Sequence, residues 1–144
     1  MTKPPVGNRS DYDYHIAITT RWSDNDLYGH VNNVTYYSYF DSVANTYLIE
    51  EGGLDIHDGD IIAYVVNSGC NYFSPIAFPE KLVGGLRVNR LGTSSVEYGI
   101  AIFKGGSDIA VAEGHFVHVF VDRATDKSVP IPETLRVVLA KLKV

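Results

Sequence analysis

Two aspartates, a glycine, a histidine and three asparagines fall within the thirteen residues RWSDNDLYGHVNN, positions 21–33. Carboxylates this close together can ligate a metal, serve as general acid or base, or attack a carbonyl carbon. Asp24 and Asp26 are two apart, so in an extended chain they face the same way. A calcium loop starting at Asp24 would need an oxygen ligand at its fifth position and Glu at its twelfth. Those positions hold Tyr28 and Thr35. Zinc fits no better: His115 and His118 lie three apart in a strand-like segment, which sends them to opposite faces, and no other His or Cys stands at ligand spacing. No metal is expected.

Nucleophile and phosphate motifs are also missing. There is no Gly-x-Ser-x-Gly elbow. Cys70, the single cysteine, sits in a strand-like run and reads as a small buried hydrophobe. Gly84-Gly85 and Gly105-Gly106 lack the Lys and the strand-to-helix setting of a phosphate loop. What remains is an acidic loop, with Gly29 as its corner, running straight into the start of a long helix. A helix N-terminus presents unpaired N–H groups and the positive end of the helix dipole. It can hold a carbonyl oxygen that is gaining negative charge. A carboxylate a few residues upstream can then approach the carbonyl carbon or activate water against it. The same residues also make ordinary caps and turns, and spacing alone leaves both readings open.

The elements that must position this loop follow from hydrophobic pattern. Residues 14–22 alternate loosely and are rich in β-formers, which predicts a strand. Residues 33–51 predict a helix of roughly 27 Å, with Tyr36, Tyr37, Phe40, Val43, Ala44, Tyr47 and Leu48 along one stripe. Asn32 or Asn33 can cap its start, and Gly52-Gly53 stops it. Residues 61–73, 81–91, 95–104 and 109–121 read as strands joined by Ser/Pro- and Gly-rich turns, the last two as a hairpin. Residues 132–143 read as a short amphipathic helix with Pro at its first turn. An antiparallel sheet has one face to cover, and the aromatic helix is the one large object available to cover it. The expected fold is therefore α+β, a curved five-stranded antiparallel sheet around one long helix. Residues 1–13 are expected to be a flexible arm and 14–144 a single domain.

The chain has 144 residues, 45% apolar and 20% charged, with a net charge of −5. That is an ordinary globular composition with room for a proper core. No basic run is present, so nucleic acid is not expected as a partner. No apolar run approaches a bilayer span, and the N-terminus lacks the apolar stretch of a signal peptide. With one cysteine and no export signal, the cytoplasm is the expected compartment.

The stretch RWSDNDLYGHVNNVTYYSYFDSVANTYL closely resembles the signature of the hotdog-fold acyl-CoA thioesterases, the group of 4-hydroxybenzoyl-CoA thioesterase. The elements that match are Arg21, Trp22, Asp24, Asp26, Gly29, His30, Val31, Asn32, Asn33, Tyr36 and Phe40. The strand–helix–strands order extends the likeness over residues 14–135, the later strands by pattern more than by motif. The resemblance implies that Asp26 is the catalytic carboxylate, as nucleophile or general base. It implies an oxyanion donor at the backbone N–H of Asn33. His30 is a further catalytic candidate. Asp24 is expected to order the loop by accepting backbone hydrogen bonds. Asp24, Tyr36 and Tyr37 are also candidates to contact substrate, and Arg87, Arg90 and Arg123 to meet the phosphates of coenzyme A. No cofactor is expected beyond coenzyme A as part of the substrate. The resemblance also implies a homodimer or homotetramer, in keeping with the liability of an unpaired sheet edge. Two other functions remain in view. One is a dehydratase or hydratase on the same fold, whose usual His is followed by a Pro-rich stretch where His30 is followed by Val31-Asn32-Asn33. The other is a non-catalytic acyl-thioester binder.

Overall fold

Along the fourth strand, Val96, Tyr98, Ile100 and Ile102 alternate with Glu97, Gly99, Ala101 and Phe103, so the chain must present one large apolar face. The computed structural model describes residues 6–144 and shows how that face is covered. The elements are β1 (Tyr14–Thr19), α1 (Asn33–Glu50), β2 (Ile61–Tyr72), β3 (Lys81–Leu91), β4 (Ser95–Lys104), β5 (Ala110–Asp122) and α2 (Glu133–Ala140). The strands form one antiparallel sheet in the order β1-β3-β4-β5-β2. β1 and β2 therefore lie at opposite edges, and the connection that carries α1 must cross the sheet between them. The fold class expected from pattern is the one observed.

The core is the seam between α1 and the sheet. Tyr36, Tyr39, Phe40, Val43, Ala44, Tyr47 and Leu48 are the buried residues of α1. They join Leu82, Leu86, Val96, Tyr98, Ile100, Ala112, Phe116 and Phe120 from the strands in one cluster. Two glycines let the helix sit close. A Cβ on Gly84 would collide with the side chains of Val43 and Ile18, and one on Gly114 with the Phe40 ring and the Gly69 carbonyl. Gly84, dismissed above as part of a phosphate loop, thus has a packing use. α2 closes one end, burying Leu135, Val138 and Leu139, and the Tyr47 hydroxyl donates to the Val138 carbonyl.

Three expectations need adjustment. The first strand stops at Thr19, because residues Trp22–Asp24 form a 3-10 turn instead. The cause is local: the Asp24 N–H donates to the Arg21 carbonyl and the Asp24 carboxylate accepts from the Arg21 N–H. On α1, Tyr39 is buried where the stripe named Tyr37, which is half-buried and stacks on Phe116 at 6.3 Å. Finally, the second half of the arm is docked. Tyr12 is buried edge-on against Phe103, on the sheet face away from α1. Its hydroxyl donates to Glu113, and the Arg9 guanidinium donates to the carbonyls of Lys104 and Ser107. Polar residues dominate the composition there, and one buried tyrosine leaves no periodic signal. Residues 1–5 of the expected arm lie outside the described residues. Among the described residues, no helix is long and apolar enough to cross a membrane.

Candidate active site

The loop between β1 and α1 is held by its own polar side chains. Asp24 is 1% exposed, and its carboxylate is fully engaged. It accepts from the Tyr39 hydroxyl at 2.7 Å, from the Arg21 N–H at 2.8 Å and from Arg21 Nε at 3.0 Å, and it pairs with the Arg21 guanidinium at 2.9 Å. Burial pushes this carboxyl upward, yet the bonds from Tyr39 and Arg21 outweigh it and hold it below the usual aspartate value. The Asp24 carbonyl also accepts from the Asn32 N–H. Of the two expectations for Asp24, ordering the loop and contacting substrate, its geometry serves the first: the carboxylate faces inward, as a brace between the loop and the middle of α1.

Asp26 sits two residues on, in a tight bend. Its N–H donates to the His30 carbonyl and its carbonyl accepts from Gly29, each at 3.0 Å. One carboxylate oxygen accepts from the Tyr28 N–H at 2.9 Å. Gly29 has φ +84°, a backbone conformation that disfavours any side chain. Asn25 and Val31 close the bend as an antiparallel bridge, and the Val31 N–H donates to the Ile76 carbonyl at 2.8 Å. Asp26 is half-buried and its other oxygen has no partner among the described residues.

The bend delivers the chain into α1. Asn32 is the cap: its side chain accepts from the Val34 N–H at 2.9 Å and its carbonyl from the Thr35 N–H. Among the described residues the Asn33 N–H has no acceptor. It is a free donor of the first turn, where the helix dipole adds positive potential. A cavity of about 300 Å³ opens beside it, lined by His30, Val31, Asn33, Tyr36, Tyr72 and Phe73, with Ser74 and Pro75 at the β2–β3 connection. Burial pushes the Tyr36 phenol up to about 12 and the Cys70 thiol up to about 11, so both stay neutral near pH 7.

The structure thus brings His30, Asn33 and Tyr36 together around one cavity. Asp26 lies on the adjoining bend but is not among the residues that line it. Tyr37 faces Phe40 and Phe116. The three arginines are scattered and none lines the cavity. Arg87 lies over the Tyr12 ring at 4.9 Å and donates to Asn89. Arg123 donates to the carbonyls of Gly59 and Ile56, fastening the loop before β2. Arg90 is exposed on β3, paired in register with Glu97. These candidates for the coenzyme A phosphates thus lie away from the cavity within one chain, because strand position carries no information about distance to a loop on another edge. Tyr72 was not anticipated. Its hydroxyl reaches the Asn33 carbonyl at 3.2 Å, across 39 residues of sequence. His118, on the helix side of the sheet, shares a hydrogen bond with Tyr98 at 3.1 Å, whereas His115 bonds Asn67 at 2.7 Å on the other face.

A family model described as the Thioesterase superfamily matches residues 28–111. The crystal structure of the PA5185 protein from Pseudomonas aeruginosa strain PAO1 is 55% identical and superimposes with a TM-score of 0.95, covering 96% of this chain and 97% of that one. Slr0204 from Synechocystis, a 1,4-dihydroxy-2-naphthoyl-CoA thioesterase, shares the fold at a TM-score of 0.80 and 16% identity, over 90% of this chain and 96% of that one. The uncharacterised protein YsmA of Bacillus subtilis (strain 168) is 24% identical over 88 residues, which are 61% of this chain and 59% of that protein.

Proposed function

The chain belongs to the thioesterase superfamily, and on that premise we propose that it hydrolyses an acyl-CoA thioester to the free acid and coenzyme A. The observation that carries the reading is the unpaired Asn33 N–H at the head of an 18-residue helix, beside a cavity and one bend away from Asp26. The thioester carbonyl oxygen sits at that N–H. Asp26 either attacks the carbonyl carbon, giving a mixed anhydride that water opens, or takes a proton from a water that attacks. In both routes negative charge grows on the oxygen and is held by the peptide donor. The carbon–sulfur bond then breaks, the sulfur leaves with the electron pair, and coenzyme A departs once protonated. His30, exposed at the rim, contacts the substrate near its thioester.

The site is completed in an assembly of two chains. Strand β2 is an open edge carrying Tyr64, Val65 and Val66 as exposed apolar residues. Pairing it with the β2 of a second copy removes that edge and brings a second sheet alongside the cavity, which borders the end of β2.

Asp26→Asn is the deciding variant. Free-thiol release from a panel of acyl-CoA substrates should fall below detection while circular dichroism and assembly state stay unchanged. Turnover near the wild-type rate would remove the mechanism. Asn33→Ala retains the amide and should cost far less than the roughly 3–4 kcal/mol typical of a deleted oxyanion donor.

A further inference from the structure

We propose that Tyr72 is a positioning residue for thioester hydrolysis, its hydroxyl holding Asn33 at the angle from which the Asn33 N–H meets the carbonyl oxygen. This rests on the reading of Asn33 given above. The cavity has two walls, the first turn of α1 and the stretch from the end of β2 to Pro75. They are tied at two points. One is a backbone bond, Val31 N–H to the Ile76 carbonyl at 2.8 Å, which no side-chain change can remove. The other is the Tyr72 hydroxyl on the Asn33 carbonyl at 3.2 Å.

That second tie is unusual in what it holds. A first-turn carbonyl already has a helical partner four residues on, so the phenol is an additional donor on the same oxygen. It therefore contributes little to forming the helix. What it constrains is the orientation of residue 33, whose own N–H has no acceptor to fix it. The ring is set by an edge-on contact with Tyr36, with centroids 5.0 Å apart and planes at 89°. Tyr36 is buried on α1 and is one turn from Asn33, so ring and hydroxyl grip the same turn. Partial burial, with Cys70 and Tyr37 nearby, pushes the Tyr72 phenol well above its ordinary value, so it remains a donor throughout the working pH range. Because Tyr72 closes the edge strand, the bond also couples the open edge of the sheet to the oxyanion site.

Tyr72→Phe deletes the oxygen and keeps the ring against Tyr36. With hexanoyl-CoA and benzoyl-CoA as probes, kcat should fall about tenfold on whichever is turned over, the size of one well-placed hydrogen bond. KM should stay within about twofold and the melting temperature should not move. A second measurement reads orientation directly. The infrared stretch of a 13C-labelled thioester carbonyl should shift to lower frequency on binding Asp26→Asn, and shift less on binding Asp26→Asn/Tyr72→Phe. Full kcat in Tyr72→Phe, beside an inactive Asp26→Asn, overturns this proposal alone. So does a kcat loss accompanied by a fall in melting temperature and an unchanged carbonyl shift. A turnover-competent Asp26→Asn overturns the hydrolytic reading itself.

Discussion

Asp24 and Asp26 are chemically identical, two residues apart, and placed in opposite surroundings. Three donors from Tyr39 and Arg21 saturate the first, which suits a carboxylate that must never leave its charged state. The second keeps an oxygen free among the described residues. The motif named both; Arg21, and Tyr39 thirteen positions past Asp26, separate their roles. A third polar residue departs further from its ordinary behaviour. His118 is 1% exposed between Tyr98, Phe116 and Phe120, and burial pulls its imidazole down to about 4. An unfolded histidine titrates near 6.5. Between those values the unfolded chain binds the extra proton and the folded chain does not. Stability is therefore full above about pH 6.5 and declines as pH falls toward 4, by roughly 3 kcal/mol from this one residue. Denaturant unfolding at pH 7 and pH 5 should show the slope. His118→Gln, which can still bond Tyr98 but does not titrate, should flatten it; an equally steep slope in that variant would assign the loss to other groups.

At the level of elements, the site depends on how closely α1 is pressed to the sheet. Its N-terminus is aimed by Asn32, its middle is pinned by the Asp24–Tyr39 bond, and its aromatic stripe rests where Gly84 and Gly114 leave room. Gly53, at φ +70°, lets the chain turn away at the other end, its N–H closing on the Ile49 carbonyl. Gly114→Ala should consequently overpack the seam and destabilise the fold by about 1–3 kcal/mol. The added methyl meets the Gly69 carbonyl, which cannot rotate away as a side chain can. Thermal melting checks it, and a variant as stable as wild type would mean that the helix has slack. Because Phe40 is the other group in the way, activity should fall along with stability in this variant, unlike in Tyr72→Phe.

For the molecule as a whole, the two sheet edges are treated differently. β1 and β2 each pair on one side only, but the exposed large apolar residues Tyr64, Val65, Val66 and Tyr72 lie on β2, and none lies on β1. β2 has a bulge between Val65 and Asn67, and Val66 there is 59% exposed. A long apolar edge of this kind is a template for pairing. Light scattering should find an assembly of at least two chains. Val65→Lys/Val66→Lys places like charges across the shared edge and should give single chains with much reduced turnover. A wild-type protein that runs as a single chain with full activity would rule out the shared-edge assembly.

Much of this architecture was legible in the linear chain because it rests on local periodicity. Richness in β-formers between turn residues marks 81–91 and 95–104 as strands with the observed limits, and the Tyr- and Phe-rich stripe marks α1 within a residue. Asn32 before a helical pattern and glycine after it mark ends by backbone chemistry alone. The loop motif likewise placed His30 and Asn33 next to each other, since their separation is short. What the tertiary structure decided are the contacts between residues far apart in sequence: Tyr39 taking Asp24 out of solvent, Tyr12 docking the arm, three arginines dispersed, and Tyr72 reaching Asn33. Periodicity tells which face a side chain takes and is blind to what stands opposite it. That partner is set by strand order and by the path of α1 across the sheet, and neither is written in any local window of the sequence.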